Sequence, residues 1–352
     1  MSAIRRRLEI ARADALLVTH LPNIYYLCGF SGSAGVLLVH PAGVSLFTDG
    51  RYTVQAREEV LGAKVRIERK SLFLAVGERL RRGGRARVAF SPGQLTVAQK
   101  KELGRAAGAR VRWIELEGAV EELRAIKDDD ETGRMREAAN LASDFFEAVA
   151  RLVRPGVLEC ELSAEVEYRM RRAGASGVAF ETIIASGARS ALPHARPTAK
   201  ALRKNELVVF DLGAILRAYC SDLTRTVYLG RASARLRQWY RAVVEAQGAA
   251  REALRPGTKT GTVDEAARRI LKRHGLERYF VHSTGHGLGL EVHEAPRIGR
   301  GGKARLQAGN VVTLEPGVYV EGVGGIRVED DVLLLPRGTE VLTRATRDFL
   351  EL

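Results

Sequence analysis

Five acidic or imidazole side chains stand in or beside strongly apolar segments of this chain. They are Asp211 in VVFDLG, Asp222 in CSDLTRT, His286 in TGHGLG, Glu315 in VVTLEPG and Glu329 in GIRVEDD. A carboxylate that is buried in a strand costs several kcal/mol unless a positive group meets it. Because Lys and Arg are missing beside most of the five, we predict that divalent cations provide the positive charge.

The spacing of the carboxylates supports this interpretation. Asp211 and Asp222 lie 11 positions apart on consecutive strand-like segments, and an antiparallel pair of that length brings both carboxylates to one place. Two carboxylates so close repel each other unless cations neutralise them. Glu315 and Glu329 repeat the arrangement across the Gly-rich turn EGVGG. The alternative is that both aspartates occupy turns or strand edges, as most aspartates do.

The types of these side chains indicate a particular class of metal site. Carboxylate oxygens with a single imidazole suit manganese, cobalt, iron or zinc in a two-metal site, whereas a structural zinc favours thiolates. His286 lies among glycines in GHGLG, where the backbone can bend to aim the ring inward. In a two-metal hydrolase such a site holds a bridging hydroxide as nucleophile and stabilises the developing oxyanion.

The first third of the chain has the pattern of an α/β domain. Four segments are typical of short buried strands (ALLVTH, GVLLVH, GVSLFTD and ARVAFS), and two between them are typical of helices (YTVQAREEV and LTVAQKKELGRAAG). The charge cluster LRAIKDDDE then marks a change in composition. We predict domains at 1–124 and 125–352, with Asp128, Asp129 and Asp130 as a solvated linker that also supplies the N-cap of the next helix.

The rest of the chain repeats one order of elements. Two helical segments, stopped after the first by Pro155-Gly156, precede the strand-like runs ELVVFDLGAIL and YCSDLTRTVYLG. Two more helical segments precede NVVTLEPGVYV and GGIRVEDDVLLL. This weak internal repeat predicts two strand pairs in one curved sheet, with the helices on its convex face.

Composition limits the remaining possibilities. The chain has 352 residues with 45% hydrophobic content, which fits two folded domains. Three widely spaced cysteines and the lack of a signal peptide or membrane segment favour a cytoplasmic protein without a membrane partner. The net charge of +14 permits nucleic-acid binding, but the basic residues are scattered without interleaved aromatic residues, so we do not expect that partner.

The motif set as a whole resembles a known family. VVFDLG, SDLTRT, HSTGHGLGLEVHE, LEPGVY and GIRVED, in that order, resemble the metallopeptidases that include aminopeptidase P, prolidase and methionine aminopeptidase. The resemblance implies an α+β pita-bread catalytic domain, a curved antiparallel sheet backed by helices with an internal pseudo-twofold, after a creatinase-type N-terminal α/β domain. The segments YLCGFSGSAGVLLV and TDGRYTVQA are similar to aminopeptidase P.

The resemblance also implies a ligand set for two divalent ions per subunit. Asp211 would bind one ion, His286 and Glu315 the other, and Asp222 and Glu329 would bridge the two. Manganese is the expected metal, and cobalt, zinc and iron are alternatives.

Catalytic roles follow from the same resemblance. His194, His282 and His293 would position the scissile carbonyl and stabilise its tetrahedral intermediate. Glu315 would carry a proton from the nucleophilic water toward the leaving nitrogen, and Arg327 would orient a metal-bound carboxylate.

Each of these residues also has an ordinary interpretation. His194 lies between two prolines in LPHARP and would then be a loop residue. His282 and His293 would be structural histidines, and Arg327 would be a simple ion-pair partner of Glu329.

The resemblance implies a choice between two peptidase activities. The main prediction is an Xaa-Pro aminopeptidase that acts on peptides with proline in second position, and the alternative is an Xaa-Pro dipeptidase, or prolidase. A remoter alternative is an inactive binding protein on the same fold. A homodimer is expected.

Overall fold

The computed structural model describes residues 2–352, which divide into two units at the peptide between Arg124 and Ala125. Each unit has its own hydrophobic clusters. We retain 1–124 and 125–352 as the proposed domain limits.

The first unit contains six helices and six strands within its described residues. The helices are Ser2–Ile10 (α1), Leu21–Cys28 (α2), Thr53–Glu59 (α3), Leu72–Arg82 (α4), Val97–Ala107 (α5) and Glu121–Arg124 (α6). The strands are Ala15–Val18 (β1), Val36–His40 (β2), Gly43–Asp49 (β3), Lys64–Glu68 (β4), Ala86–Phe90 (β5) and Val111–Glu115 (β6). The four predicted strands are confirmed as β1, β2, β3 and β5, and the two predicted helices as α3 and α5.

One mixed sheet carries this unit, with strand order β4-β3-β2-β1-β5-β6. Along β1, Leu16 and Val18 pack on one face of the sheet and Ala15 and Leu17 on the other. Successive side chains of a strand point to opposite faces, so both faces are covered and the predicted α/β arrangement is confirmed. The sequence analysis missed β4 and β6, which lie at the sheet edges and mix charged with apolar residues.

The second unit combines four helices with thirteen short strands. The helices are Asp129–Ala150 (α7), Glu159–Arg172 (α8), Ala234–Ala253 (α9) and Thr260–Arg273 (α10). The strands are Gly177–Val178 (β7), Ile183–Ser186 (β8), Glu206–Leu212 (β9), Ala214–Leu216 (β10), Tyr219–Cys220 (β11), Leu223–Leu229 (β12), Gly285–Gly287 (β13), Glu294–Ile298 (β14), Val311–Leu314 (β15), Gly317–Val320 (β16), Gly324–Arg327 (β17), Asp330–Leu334 (β18) and Thr339–Val341 (β19). Nowhere in residues 2–352 does a helix have the length and apolar character needed to cross a membrane.

The start of α7 confirms the predicted cap. Asp128 Oδ1 accepts a hydrogen bond from Glu131 N at 2.9 Å, and Glu131 Oε2 accepts one from Asp128 N at 2.9 Å. This reciprocal capping box satisfies two amide groups at the helix start. The aspartates that follow occupy the first turn of the helix, where negative charge favours the helix dipole.

The repeated order of elements is confirmed, and it builds two similar layers. Val208, Phe210 and Leu212 of β9 pack with the apolar faces of α7 and α8. Val312 and Leu314 of β15 pack with those of α9 and α10. Backbone ladders divide the strands of this unit among four sheets, and a hydrogen bond from Glu329 N to Thr224 O at 3.0 Å joins two of these sheets.

Two glycine substitutions test the packing of this unit. Gly133 lies within α7 with open space around it, so Gly133→Ala should raise the free energy of unfolding by about 0.5–1 kcal/mol. A Cβ at Gly285 of β13 would overlap the carbonyl oxygen of Thr313, so Gly285→Ala should lower the melting temperature by several degrees. Calorimetry of both variants measures the effects, and wild-type melting of Gly285→Ala would contradict the close approach of β13 to β15.

Candidate metal and catalytic site

The alternation of side chains along the strands directs the predicted ligands to one side of the sheets. Phe210 of β9 packs against α7 and α8, so its neighbour Asp211 faces away from those helices. Ile326 and Val328 lie in the core beneath α9 and α10, so Arg327 and Glu329 face away from that core.

Three of the ligands stand where strands are interrupted. Asp222 directly precedes β12, Glu315 directly follows β15, and Glu329 directly precedes β18. The register pairs Leu223 with Leu212 and Leu314 with Asp330. The antiparallel pairs β9–β12 and β15–β18 therefore bring carboxylates from distant parts of the chain to the ends of neighbouring strands.

His286, in β13, presents one ring nitrogen to these carboxylates. Its Nδ1 donates to the carbonyl oxygen of Gly287 at 3.0 Å, so Nε2 carries the lone pair. Nε2 lies 3.4 Å from Glu315 Oε1 and 3.7 Å from Asp222 Oδ2. Ligand atoms of Asp222, His286 and Glu329 all lie within 4.8 Å of one another. One imidazole and several carboxylate oxygens are thus grouped as a metal ion requires.

The electrostatics of this group fit bound cations. Burial, followed by the charges of Glu329 and Asp211, raises the pKa of Asp222 well above its ordinary value. Burial and the charge of Glu315 do the same for Glu329. Burial, partly opposed by the charge of Arg327, raises the pKa of Glu315 to about 7, and burial lowers the pKa of His286 to about 4. Divalent cations would favour both the ionised carboxylates and the neutral imidazole.

Two oxygens of the site add to this fit. Among the residues that the structure describes, Asp211 Oδ1 and Asp222 Oδ1 are buried without a hydrogen-bond donor. Buried polar atoms are nearly always satisfied, and a carboxylate oxygen that finds no N–H or O–H is suited to a metal ion. The donor set therefore fits divalent metal ions.

Arg327 is the buried cation of the site. Its partners differ from the simple ion pair with Glu329 that the sequence analysis gave as the alternative. Its Nη2 lies 2.5 Å from Asp211 Oδ2, and its Nε donates to Thr224 Oγ1 at 3.0 Å. Thr224 in turn donates to Glu329 Oε2 at 2.5 Å. Arg327 thus pairs with Asp211 and reaches Glu329 only through the threonine hydroxyl. The guanidinium also donates to the hydroxyl of Tyr319 at 2.7 Å.

The three predicted catalytic histidines occupy two kinds of position. His282 is largely enclosed, because its Nδ1 donates to Ser283 O at 2.8 Å and its Nε2 lies 2.9 Å from the Tyr319 hydroxyl. Burial lowers the pKa of His282 to about 4, which keeps the ring neutral at pH 7. His194 and His293 are exposed. The ring of His293 packs edge-on against that of His286, with 4.3 Å between the ring centroids.

A single cavity of about 710 Å³ brings the predicted residues together. All nine residues that the sequence analysis proposed as ligands or catalytic groups line it. Its wall also contains residues that the sequence analysis missed: Phe180, Glu181, Ile183, Arg196, Val292, Glu294 and Arg297. Thr224 and Tyr319 were also missed. They do not line the cavity, but their hydroxyls accept hydrogen bonds from Arg327. The threonine of SDLTRT and the tyrosine of LEPGVY stand within the quoted motifs, but nothing in the spacing showed their contacts.

Buried polar networks support the segments that carry the predicted site residues. Arg268 donates to the carbonyl oxygens of Phe280 at 3.0 Å and His282 at 2.6 Å, while its partner Asp264 accepts from Thr284 N at 3.2 Å. These bonds determine the path of the segment that leads to His286.

A second network holds the strand end at Glu329. Arg225 donates to the carbonyl oxygen of Glu329 and to Asp330 Oδ1, the latter at 2.7 Å. Asp330 also accepts from Gln247 at 3.0 Å and from Thr343 at 2.7 Å. Because these buried groups are hydrogen-bonded to one another, the network holds the predicted metal ligand Glu329 in place.

Comparison with known proteins identifies the family. The model of metallopeptidase family M24 matches residues 133–336, and that of the creatinase/prolidase N-terminal domain matches residues 1–126. The chain belongs to metallopeptidase family M24. The predicted fold, a pita-bread catalytic domain preceded by a creatinase-type domain, is thereby confirmed.

Relatives within family M24 include proteins named dipeptidase and proteins named aminopeptidase. The Xaa-Pro dipeptidase of Pyrococcus furiosus is 35% identical over 96% of this chain and 95% of its own length. The structure of an Xaa-Pro dipeptidase from Bacillus anthracis superposes with a TM-score of 0.96 at 35% identity, covering 100% of this chain and 98% of the other. An X-Pro aminopeptidase structure from Thermotoga maritima gives a TM-score of 0.90 at 33% identity, covering 99% and 100%. The predicted special likeness to aminopeptidase P is not confirmed.

Substitution of the clustered carboxylates tests the site. Asp222→Ala or Glu329→Ala should abolish hydrolysis and reduce the bound metal, because each removes a ligand oxygen from the group around His286. Metal content after loading with Mn²⁺ measures the effect. Asp144→Ala, which removes an exposed carboxylate paired with Arg344, is the control. Full activity and metal content in either ligand variant would contradict the two-metal site.

Proposed function

We propose that this member of family M24 is an Xaa-Pro dipeptidase, which hydrolyses the bond before proline in dipeptides. The observation that carries this proposal is an exposed arginine in the cavity wall. Arg297 lines the same cavity as the five predicted metal ligands, which we call the metal-ligand group: Asp211, Asp222, His286, Glu315 and Glu329. The described residues offer the Arg297 side chain no hydrogen bond or ion pair. The relatives named Xaa-Pro dipeptidase support the proposal.

The chemistry of a dipeptide explains why this arginine matters. Hydrolysis of Xaa-Pro requires the metal-ligand group at the bond before proline, which leaves the α-carboxylate of proline next to the cavity wall. A guanidinium binds a carboxylate by charge-assisted hydrogen bonds. A longer peptide has a neutral amide at that place, so it would gain much less from Arg297.

The second candidate is an Xaa-Pro aminopeptidase, which was the main prediction from the sequence. The likeness to the Thermotoga maritima aminopeptidase supports it, as do the segments YLCGFSGSAGVLLV and TDGRYTVQA. Both candidates act on proline in second position. The complete set of five ligand residues favours an enzyme over an inactive binding protein.

Five side chains would hold the metal ions. Asp211, Asp222, His286, Glu315 and Glu329 would bind two divalent cations, with manganese expected first and cobalt, zinc or iron as alternatives. When bound, such a pair supplies a water molecule of lowered pKa and positive charge opposite a developing oxyanion.

The protein groups around the ligands would orient the substrate and move its protons. His194 and His293, both exposed to the cavity, would donate to the carbonyl oxygen of the scissile bond. A carboxylate oxygen of Glu315 would carry the proton to the leaving proline nitrogen. Arg327 would hold Asp211 in place. His282, whose two ring nitrogens are already engaged, would act by orienting Tyr319.

Two further proposals concern the protein in the cell. We propose a cytoplasmic homodimer, on the basis of the cysteine usage and the family resemblance. Its substrates would be small proline-containing peptides.

A comparison of two peptides tests the proposed activity. The Mn²⁺-loaded protein should hydrolyse Ala-Pro faster than Ala-Pro-Ala, because only the dipeptide offers a free carboxylate to Arg297. The ratio of kcat/KM for the two peptides measures this preference. Faster hydrolysis of the tripeptide would favour the aminopeptidase, and hydrolysis of neither would contradict both candidates.

Removal of the arginine tests the reason for that preference. Arg297→Ala should raise KM for Ala-Pro by about tenfold or more, the loss expected for one charge-assisted contact, and should change Ala-Pro-Ala hydrolysis little. Arg300→Ala is the matched control, since Arg300 pairs with Glu277 and is absent from the cavity lining. An unchanged KM in Arg297→Ala would remove the carboxylate contact from the proposal.

The role of an exposed histidine can be separated from metal binding. His293→Ala should retain the bound metal and lose about 100-fold in kcat, as expected for one donor to an oxyanion. Metal analysis and kinetics on the same preparation measure both quantities. Unchanged kcat would make His293 a structural residue.

A further inference from the structure

We propose that Lys127 is a positioning residue for His293 and acts through Glu294. The inference rests on the proposed function for its kinetic part. Its structural part rests on the ion pair between Lys127 and Glu294 and on the turn that precedes β14.

The ion pair is deeply buried. Lys127 Nζ lies 3.0 Å from Glu294 Oε2, and the two side chains are only 1% and 6% exposed. Desolvation of two charges is expensive, so loss of one partner from a buried pair is strongly destabilising locally. The carboxylate of Glu294 therefore depends on the ammonium group for its position.

Lys127 is itself held against the strand that leads to a predicted metal ligand. Its backbone N donates to Gly309 O at 2.8 Å, and Asn310 Nδ2 donates to Ala125 O at 2.7 Å. The segment that follows Asn310 is β15, which ends directly before Glu315. The ammonium group thus has a fixed position relative to the site.

Glu294 organises the turn on the other side of the pair. Its Oε1 accepts a hydrogen bond from Glu291 N at 3.1 Å. A Cβ at Gly289 would lie 2.8 Å from both carboxylate oxygens, so the turn closes tightly around the carboxylate. The first residue of β14 is Glu294, and it pairs with Gly287 of β13.

His293 lies at the end of this turn, one residue before Glu294. Its ring is exposed, and it meets the ring of His286 edge-on. The position of its ring in the cavity therefore depends on the backbone of the turn. The position of that backbone depends in turn on the Glu294 carboxylate. Loss of the ammonium group at residue 127 would loosen the turn and displace His293 without removing a metal ligand.

Hydrogen exchange and kinetics test this chain of contacts. Lys127→Met keeps the length of the side chain and removes its charge. Amides of the turn at 289–293 should exchange about tenfold faster than in the wild type, while α9 and α10 remain unchanged. With Mn²⁺ bound at wild-type level, kcat for Ala-Pro should fall about tenfold, as expected for a misplaced catalytic group. Lys303→Met, at an exposed lysine, is the control.

Two more variants separate positioning from general stability. Lys127→Arg keeps the charge and should recover most of kcat. The double variant Lys127→Met/Glu294→Gln removes both charges, so its loss of kcat should be smaller than the product of the two single losses. If Lys127→Met alone does not fold, Glu294→Gln takes its place, because it removes the other charge of the pair and should likewise speed exchange of the amides at 289–293.

Three results would overturn the proposal. They are unchanged exchange in the turn at 289–293, acceleration that extends equally to α9 and α10, and strictly multiplicative losses in the double variant. Exchange does not depend on activity. If the wild type hydrolyses no Xaa-Pro peptide, the proposed function therefore fails, while the exchange data still decide whether Lys127 holds the turn.

Discussion

The four carboxylates among the predicted metal ligands share the wall of one cavity with a single buried guanidinium, and much of the surrounding structure keeps these like charges close together. Asp211, Asp222, Glu315 and Glu329 face the cavity because their strands bury the alternate side chains beneath helices. Burial and mutual repulsion raise the pKa values of three of them. Arg327 compensates directly for Asp211 alone. The remaining charge requires cations, and this requirement connects the fold to metal chemistry.

Holding such groups together requires rigid support. The helix pairs α7–α8 and α9–α10 provide two apolar layers, one beneath β9 and the other beneath β15. Between them, buried networks around Asp330 and Asp264 fix the segments that end at Glu329 and His286. Because these networks are satisfied within the protein, they restrain the positions of the predicted ligands.

The metal-ligand group does not by itself decide the substrate. Relatives named dipeptidase and relatives named aminopeptidase share this fold at similar identity, and the imide bond before proline is common to both activities. The discriminating groups must therefore lie on the cavity wall, where the substrate continues beyond proline. Arg297 lines that wall, and we propose it as the group that binds a free carboxylate. The turn that precedes β14 carries His293, and β14 itself carries Arg297 four residues later. The proposed support of this turn by Lys127 would therefore bear on substrate orientation as well as on catalysis.

The sequence by itself determined many of the elements and the candidate ligands, because both depend on local pattern. Short windows of sequence show the apolar residues on either side of Asp211, the apolar residue before Glu329 and the cap at Asp128. The repeated helix-helix-strand order is visible in the same way. Only the tertiary structure showed that Arg327 pairs with Asp211 rather than Glu329, that His282 is enclosed by Tyr319, and that Lys127 meets Glu294 across 167 positions. Such contacts depend on how distant strands and turns pack, and no local spacing encodes them.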